Sequence, residues 1–266
     1  MEVLMPFAKL NDIEVFYEVH GSGYPIVLVS GFSADHSSWD AIRDQLALRY
    51  RVITFDNRGV GQTTVTKSPY LVEDFANDTA ALCRHLKIDS AYFIGNSMGG
   101  MIVQCLLKNE PSLVKKAVIS NSSANLNVGW KWYVQAQYEL AQSGASPEAL
   151  VKASVAWCFS DAFLSKGSTF NDCVALWSSS PYPFTLEGFA GQMAALNSFD
   201  SRKWLSDIKS PCLIISGDED VLLPSRCSKE LAELINDSKY YEFEQVGHLP
   251  YVEAADAFVE LVCDFL

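Results

Sequence analysis

At 266 residues, 49% apolar and 20% charged, the chain suits one large domain, or one domain with an insertion, and can bury a sizeable core. Its formal charge of −12 opposes unspecific binding to nucleic acid and to anionic lipid, so neither nucleic acid nor a membrane is expected as a partner. The seven cysteines are scattered, with no CxxC pair and no Cys/His set at zinc spacing, which argues against a disulfide framework or a structural zinc and for free thiols in a reducing compartment.

The start, Met1-Glu2-Val3-Leu4-Met5-Pro6, lacks the basic residues and long apolar run of a signal peptide, and no stretch is long enough to span a bilayer. A cytoplasmic location is expected. Ile13 to His20 alternates apolar and polar residues, as a strand with one wet face does. Ile26–Val29 is a continuous apolar run, the mark of a strand covered on both faces, and Ser30-Gly31-Phe32-Ser33 ends it. Ser37–Leu48 has helical spacing through Trp39, Ile42 and Leu46. Val52–Phe55 is a second buried strand closed by a loop rich in glycine, Asp56-Asn57-Arg58-Gly59-Val60-Gly61. A helix over Leu71–Leu86 follows, then a strand over Tyr92–Ile94, a helix through Met101–Leu107 and a strand over Ala117–Ser120.

There the alternation stops. Residues 124–201 hold no strand pattern and read as roughly four helices: Gly129–Ala141, Pro147–Phe159, Phe170–Trp177 and Thr185–Leu196. The rhythm returns with a strand at Cys212–Ile215, a helix at Arg226–Ile235, a strand at Tyr240–Phe243 and a closing helix at Ala254–Phe265. Strands alternating with helices predict a mostly parallel sheet flanked by helices. The division is then a core of residues 1–123 and 202–266, with 124–201 as an inserted helical cap over the carboxyl edge of the strands, where open α/β sheets bind ligands.

Gly95-Asn96-Ser97-Met98-Gly99 lies where a strand turns into a helix. A tight turn there lifts a serine hydroxyl off the sheet edge but crowds the backbone, so small residues are needed two positions to either side; Gly95 and Gly99 stand there. The Met98 N–H, at the helix start, is a natural donor to an oxyanion. A serine nucleophile needs a base, and the base an orienting acid. Of the four histidines, His248 occupies a loop between the last strand and the last helix, while His85 lies on a charged helix face. Among Asp218, Glu219 and Asp220, only Asp220 leads into an apolar run, Val221-Leu222-Leu223-Pro224, that would anchor it. The position after Ala117–Ser120 holds Asn121-Ser122-Ser123 and offers no carboxylate.

Together these segments resemble the α/β-hydrolase superfamily over nearly the whole chain. The order Ser97, Asp220, His248 is that family's order. Asp56–Gly61 is similar to its D-x-R-G-x-G turn, Gly217–Pro224 to G-x-x-D-x-x-x-P and Gly247–Glu253 to G-H-x-P-x-x-E. The resemblance implies an eight-stranded sheet with an inserted helical cap, Ser97, Asp220 and His248 as catalytic residues, and an oxyanion hole from the N–H groups of Phe32 and Met98. Ser30 stands where the family usually has histidine.

The implied activity is hydrolysis of a small carboxylic ester or lactone by a serine esterase or enol-lactone hydrolase, with no cofactor and no metal. A carbon–carbon bond hydrolase and a slow ligand receptor keeping the same residues are the alternatives. The former calls for a basic patch to hold a substrate carboxylate, for which Lys131, Lys152, Lys166, Arg202 and Lys203 are the basic residues to hand. A dehalogenase or epoxide hydrolase would need aspartate at 97. The aromatic content of residues 124–201 points to a substrate with an apolar acyl or aromatic group. Trp130, Trp157, Phe159, Trp177, Met193, Val221 and Leu249 are the candidate lining residues. Nothing in the pattern speaks to oligomeric state.

Overall fold

The computed structural model describes residues 6–266, so the N-terminal stretch read above for a leader lies, up to Met5, outside the described residues. The elements run β1 (Phe7–Leu10), β2 (Ile13–His20), β3 (Tyr24–Val29), α1 (Asp40–Ala47), β4 (Tyr50–Phe55), α2 (Val72–His85), β5 (Ala91–Asn96), α3 (Met98–Asn109) and β6 (Val114–Ser120). Five helices follow: α4 (Val128–Gln142), α5 (Pro147–Cys158), α6 (Asp161–Leu164), α7 (Thr169–Ser178) and α8 (Leu186–Ser198). The chain closes with β7 (Cys212–Gly217), α9 (Ser225–Leu234), β8 (Ser238–Phe243), α10 (Pro250–Glu253) and α11 (Ala255–Phe265).

The eight strands form one sheet in the order β1-β2-β4-β3-β5-β6-β7-β8. β2 pairs antiparallel with β1 and β4, and all later neighbours are parallel. Strand periodicity builds a core on each face: Val27, Val29 and Phe93 belong to one, and Ile26, Leu28, Tyr92 and Ile94 to the other. Residues of α2, α3 and α9 complete the first core, and those of α1 and α11 the second. Three elements were not read from the sequence pattern: β1 is four residues long, and α6 and α10 are single helical turns, so the expected group of four helices between β6 and β7 is five.

The helices between β6 and β7 leave and rejoin the sheet at one point. Asn125 bridges Asp200, and the Ser201 N–H donates to the Ala124 carbonyl at 2.8 Å. Four of the five helix starts carry side-chain caps; α7 does not. Asn127 accepts from the Trp130 N–H, Ser146 from Ala149, Ser160 from Phe163 and Thr185 from Gly188. Asn127 also donates Nδ2 to the Leu222 carbonyl at 3.2 Å, which ties the start of α4 to the loop after β7. Among the described residues no helix is long and apolar enough to cross a membrane.

Candidate active site

β5 is buried along its whole length and ends at Ser97, whose φ is 57° and ψ −120°. A non-glycine residue there is strained and is held only by its surroundings. The surroundings are visible: Ser97 N–H donates to the Ser120 carbonyl at 2.9 Å, and Ser122 Oγ donates to the Ser97 carbonyl at 2.8 Å. The flanking glycines permit the turn by close approach. A Cβ on Gly95 would stand 2.3 Å from the Gly99 oxygen, and one on Gly99 2.0 Å from the Val29 oxygen.

The loop after β3 lies against the serine, since a Cβ on Gly31 would be 3.3 Å from Ser97 Cβ and 3.9 Å from its Oγ. Among the described residues, neither the Phe32 N–H nor the Met98 N–H has a hydrogen-bond partner, so two donors beside Ser97 are unspent. Ser30 serves as scaffold: its Oγ accepts from Trp39 Nε1 at 3.0 Å and donates to the Asp35 carbonyl at 3.1 Å. Asn57 Nδ2 donates to the Ser30 carbonyl at 3.0 Å.

Asp220 follows β7 and His248 follows β8; they are 3% and 4% exposed. Asp220 Oδ1 accepts from the N–H groups of Leu222 and Leu223, each at 2.9 Å, so the apolar run after the acid does anchor it. Oδ2 accepts from His248 Nδ1 and from Asn121 Nδ2, both at 2.7 Å. The Leu222, Leu223 and Asn121 partners can only donate, so the carboxylate oxygens are held as acceptors. With Nδ1 bound to the acid, Nε2 is the nitrogen left to take a proton. The His248 N–H donates to the Cys158 carbonyl at 2.9 Å. No hydrogen bond of His248 runs to Ser97 Oγ. That contact is commonly long in unliganded enzymes and tightens with substrate.

Asn121 is the residue the sequence reasoning passed over. It sits at the carboxyl end of β6, with φ 43°, fully buried, and its Nδ2 also donates to the Gly247 carbonyl at 3.1 Å. It thus joins the loop bearing the acid to the loop bearing the histidine. The signal for it was its place at a strand end, set aside because only carboxylates were sought there.

Glu253 performs a second linkage. Its carboxylate accepts from the Gly247 N–H at 2.9 Å and from Ser160 N–H and Oγ at 3.2 and 2.5 Å. Burial pushes this carboxyl above its usual range, against the hydrogen bonds from Ser160 and Gly247. Glu219 accepts from the Asp161 N–H at 3.1 Å. The α5–α6 junction is therefore stitched to both loops of the site.

The expected lining residues separate. Trp130 packs edge-on against the Phe32 ring at 5.7 Å, and its Nε1 has no hydrogen-bond partner. Phe189 also meets Phe32, at 4.7 Å, and Met193 packs against the same core. Trp157 is 44% exposed and packs at a tilt against Tyr133, while Phe159 meets Phe163 and Trp177. Phe159 and Val221 line an open cavity of about 350 Å³ with Ala156, Asp161, Leu164 and Glu219; neither Ser97 nor His248 lines it. Leu249, beside the histidine, is buried in the same core as Phe159.

Four of the five basic residues considered above are engaged elsewhere, and the fifth, Lys203, is exposed. Lys152 pairs with Glu148, Arg202 with Asp200, Lys131 donates to the Asn197 carbonyl and Lys166 lies over the Phe163 ring. Asp35, His36 and Asp56 bring ligand-type atoms within 4.8 Å of one another. Hydrogen bonds run through this cluster: Asp56 accepts from His36 N–H, His36 Nδ1 and Gln62 N–H, and Asp35 from Ser37. The cluster holds loops together by hydrogen bonds.

Comparison with known proteins places these features in context. A family model described as the alpha/beta hydrolase fold matches residues 24–255. A candidate carbamate hydrolase, RutD, of Azorhizobium caulinodans is 26% identical over 98% of each chain. A candidate non-heme bromoperoxidase, BpoC, of Mycobacterium tuberculosis is 30% identical over 92% of this chain and 94% of its own. The crystal structure of the enol-lactonase from Burkholderia xenovorans LB400 superposes with a TM-score of 0.89 at 28% identity, covering 98% of this chain and 99% of that one.

Proposed function

The chain belongs to the alpha/beta hydrolase family and is a hydrolase, and from that premise we propose that it cleaves a small carboxylic ester or lactone through an acyl-enzyme on Ser97. The observation that carries the reading is the buried Asp220–His248 pair at 2.7 Å, on the same sheet edge as a serine held at positive φ between two unspent N–H donors.

In the proposed reaction His248 Nε2 takes the Ser97 proton as Oγ attacks the carbonyl carbon. Asp220 keeps the imidazole in the productive tautomer and stabilises the imidazolium. The Phe32 and Met98 N–H groups bind the oxyanion; losing one such donor costs about 2.7–4 kcal/mol of barrier. The tetrahedral intermediate collapses, His248 protonates the leaving oxygen, and water repeats the cycle on the acyl-enzyme. For a lactone the leaving oxygen stays tethered to the acyl chain. Phe32, Trp130, Phe189 and Met193 favour an apolar acyl group. The engagement of Lys131, Lys152, Lys166 and Arg202 with other partners leaves exposed Lys203 as the remaining one of the five basic candidates, which favours an ester or lactone over a ring-fission diketone acid whose carboxylate calls for a basic patch. Seven free cysteines fit a reducing compartment such as the cytoplasm.

The test is turnover of p-nitrophenyl acetate and butyrate by the wild type and Ser97→Ala. An acyl burst and steady-state hydrolysis are expected of the wild type, with Ser97→Ala near the uncatalysed rate. Equal rates for the two proteins reject the reading. Ligand binding that raises the melting temperature without multiple turnover would replace it by the receptor alternative.

A further inference from the structure

We propose that Gln192, on α8, is a positioning residue for the oxyanion donor Phe32; the inference rests on the ester-hydrolase reading above. Gln192 is fully buried. A buried amide is costly unless both its ends are satisfied, and here both are. Oε1 accepts from the Ser33 N–H at 2.8 Å and Nε2 donates to the Arg58 carbonyl at 3.1 Å. The far end of this bridge is itself fixed, because the Arg58 guanidinium donates to both carboxylate oxygens of buried Asp78, at 2.6 and 2.8 Å.

The near end matters for chemistry. Ser33 has φ 55°, a left-handed conformation that a non-glycine residue keeps only when its surroundings impose it. Along the loop, Ser30 is held by Trp39 and Asn57, the Gly31 carbonyl accepts from the Ala34 N–H at 3.3 Å, and the Ser33 N–H is committed to Gln192. Fixing the Ser33 N–H fixes the Phe32–Ser33 peptide plane, which adjoins the Gly31–Phe32 plane that carries the Phe32 N–H and is itself held at the Gly31 carbonyl. The Phe32 N–H is then left without a partner in a loop whose Gly31 abuts Ser97. Gln192 thereby acts on the reaction through Phe32. Helix α8 comes close enough because Gly188, one turn earlier, lies on Gly59: a Cβ there would stand 2.0 Å from the Gly59 oxygen.

The test measures kcat and KM for p-nitrophenyl butyrate per active Ser97, counted by fluorophosphonate titration, and the affinity of an alkyl trifluoromethyl ketone, whose adduct carries the oxyanion. Gln192→Met removes both hydrogen bonds at similar volume. It is expected to lower kcat about 30-fold, within the range for a weakened oxyanion donor, with KM within about twofold. The ketone should weaken by a similar factor while the titrated sites remain complete. Gln192→Glu keeps an acceptor for the Ser33 N–H and is expected to recover ketone affinity to within about threefold of wild type. If Gln192→Met does not fold, Gln192→Asn, one methylene too short to span the bridge, is read in its place with the same expectation. A kcat and ketone affinity unchanged in the variant overturn the inference. So does a loss confined to the titrated sites or the melting temperature, which would mark Gln192 as structural. Wild-type turnover with an unaffected Gln192→Met removes this inference alone; wild-type turnover no greater than that of Ser97→Ala removes the hydrolase reading and this inference together.

Discussion

Asp220 Oδ2 is shared between the His248 imidazole and the amide of Asn121. Deleting that amide loosens two loops at once, because the same Nδ2 also holds the Gly247 carbonyl next to the histidine. A hydrogen bond to a charged group contributes about 1.5–3 kcal/mol. Expressed in the transition state, that is about 10- to 100-fold in rate. Asn121→Ala is therefore expected to lower kcat on p-nitrophenyl butyrate by that factor with little change in KM. Asn121→Asp should be worse, since it sets a second carboxylate against Asp220. Wild-type kcat in Asn121→Ala would show that the Leu222 and Leu223 N–H groups hold the acid unaided. At this scale the proposed nucleophile, acid and base were legible because each combines a reactive side chain with a strand end and a recognisable neighbour. Asn121 and Gln192 were not, since a neutral amide becomes informative only when its partners, here residues far away in the chain, are known.

Helices α4 and α8 show how little of the helical block behaves as a loose lid. Asn127 ties α4 to the acid loop, Ser160 and Asp161 tie the α5–α6 junction to Glu253 and Glu219, and α8 rests on the Asp56–Gly61 loop through Gly188. The Gly188 contact leaves no room for a methyl group. Gly188→Ala is expected to destabilise the fold by about 2 kcal/mol through overpacking. In a chain of this size that lowers the melting temperature by about 5 °C. Displacing α8 also displaces Gln192, so the kcat losses of Gly188→Ala and Gln192→Met should fall short of additivity in a double-mutant cycle. Full additivity would mean that the two residues act on separate features. The long helices were predictable to within a few residues from their spacing and caps. The single turn α6 and the four-residue β1 are too short to carry a period, and they appear only once the neighbours that stabilise them are in place.

For the molecule as a whole, the alternation of buried strands and amphipathic helices was enough to anticipate a parallel sheet covered on both faces. The antiparallel β1-β2-β4 edge and the crossing of β3 and β4 depend on pairings that no local pattern encodes. One such pairing region bears on stability against pH. His36 faces Asp56 at the end of β4, with Nδ1 2.7 Å from a carboxylate oxygen that also accepts its N–H; Phe16 packs on its ring, and Asp35 and Glu18 add negative charge nearby. Burial opposes the imidazolium, but the hydrogen bond and charge of Asp56 outweigh it and hold the His36 pKa above its ordinary value of 6.5. A histidine raised on folding stabilises the native state fully below its unfolded value and loses that contribution as pH rises through its folded value. The melting temperature should therefore fall from pH 6.5 upward, and His36→Gln should flatten that part of the curve. Melting curves recorded from pH 5.5 to 9 decide the matter, and wild type and variant falling in parallel would remove His36 as the source. Because the Asp56 loop also carries Arg58, whose carbonyl holds Gln192, the alkaline loss of stability should begin beside Phe32, the proposed oxyanion donor, rather than at the distant β8 edge.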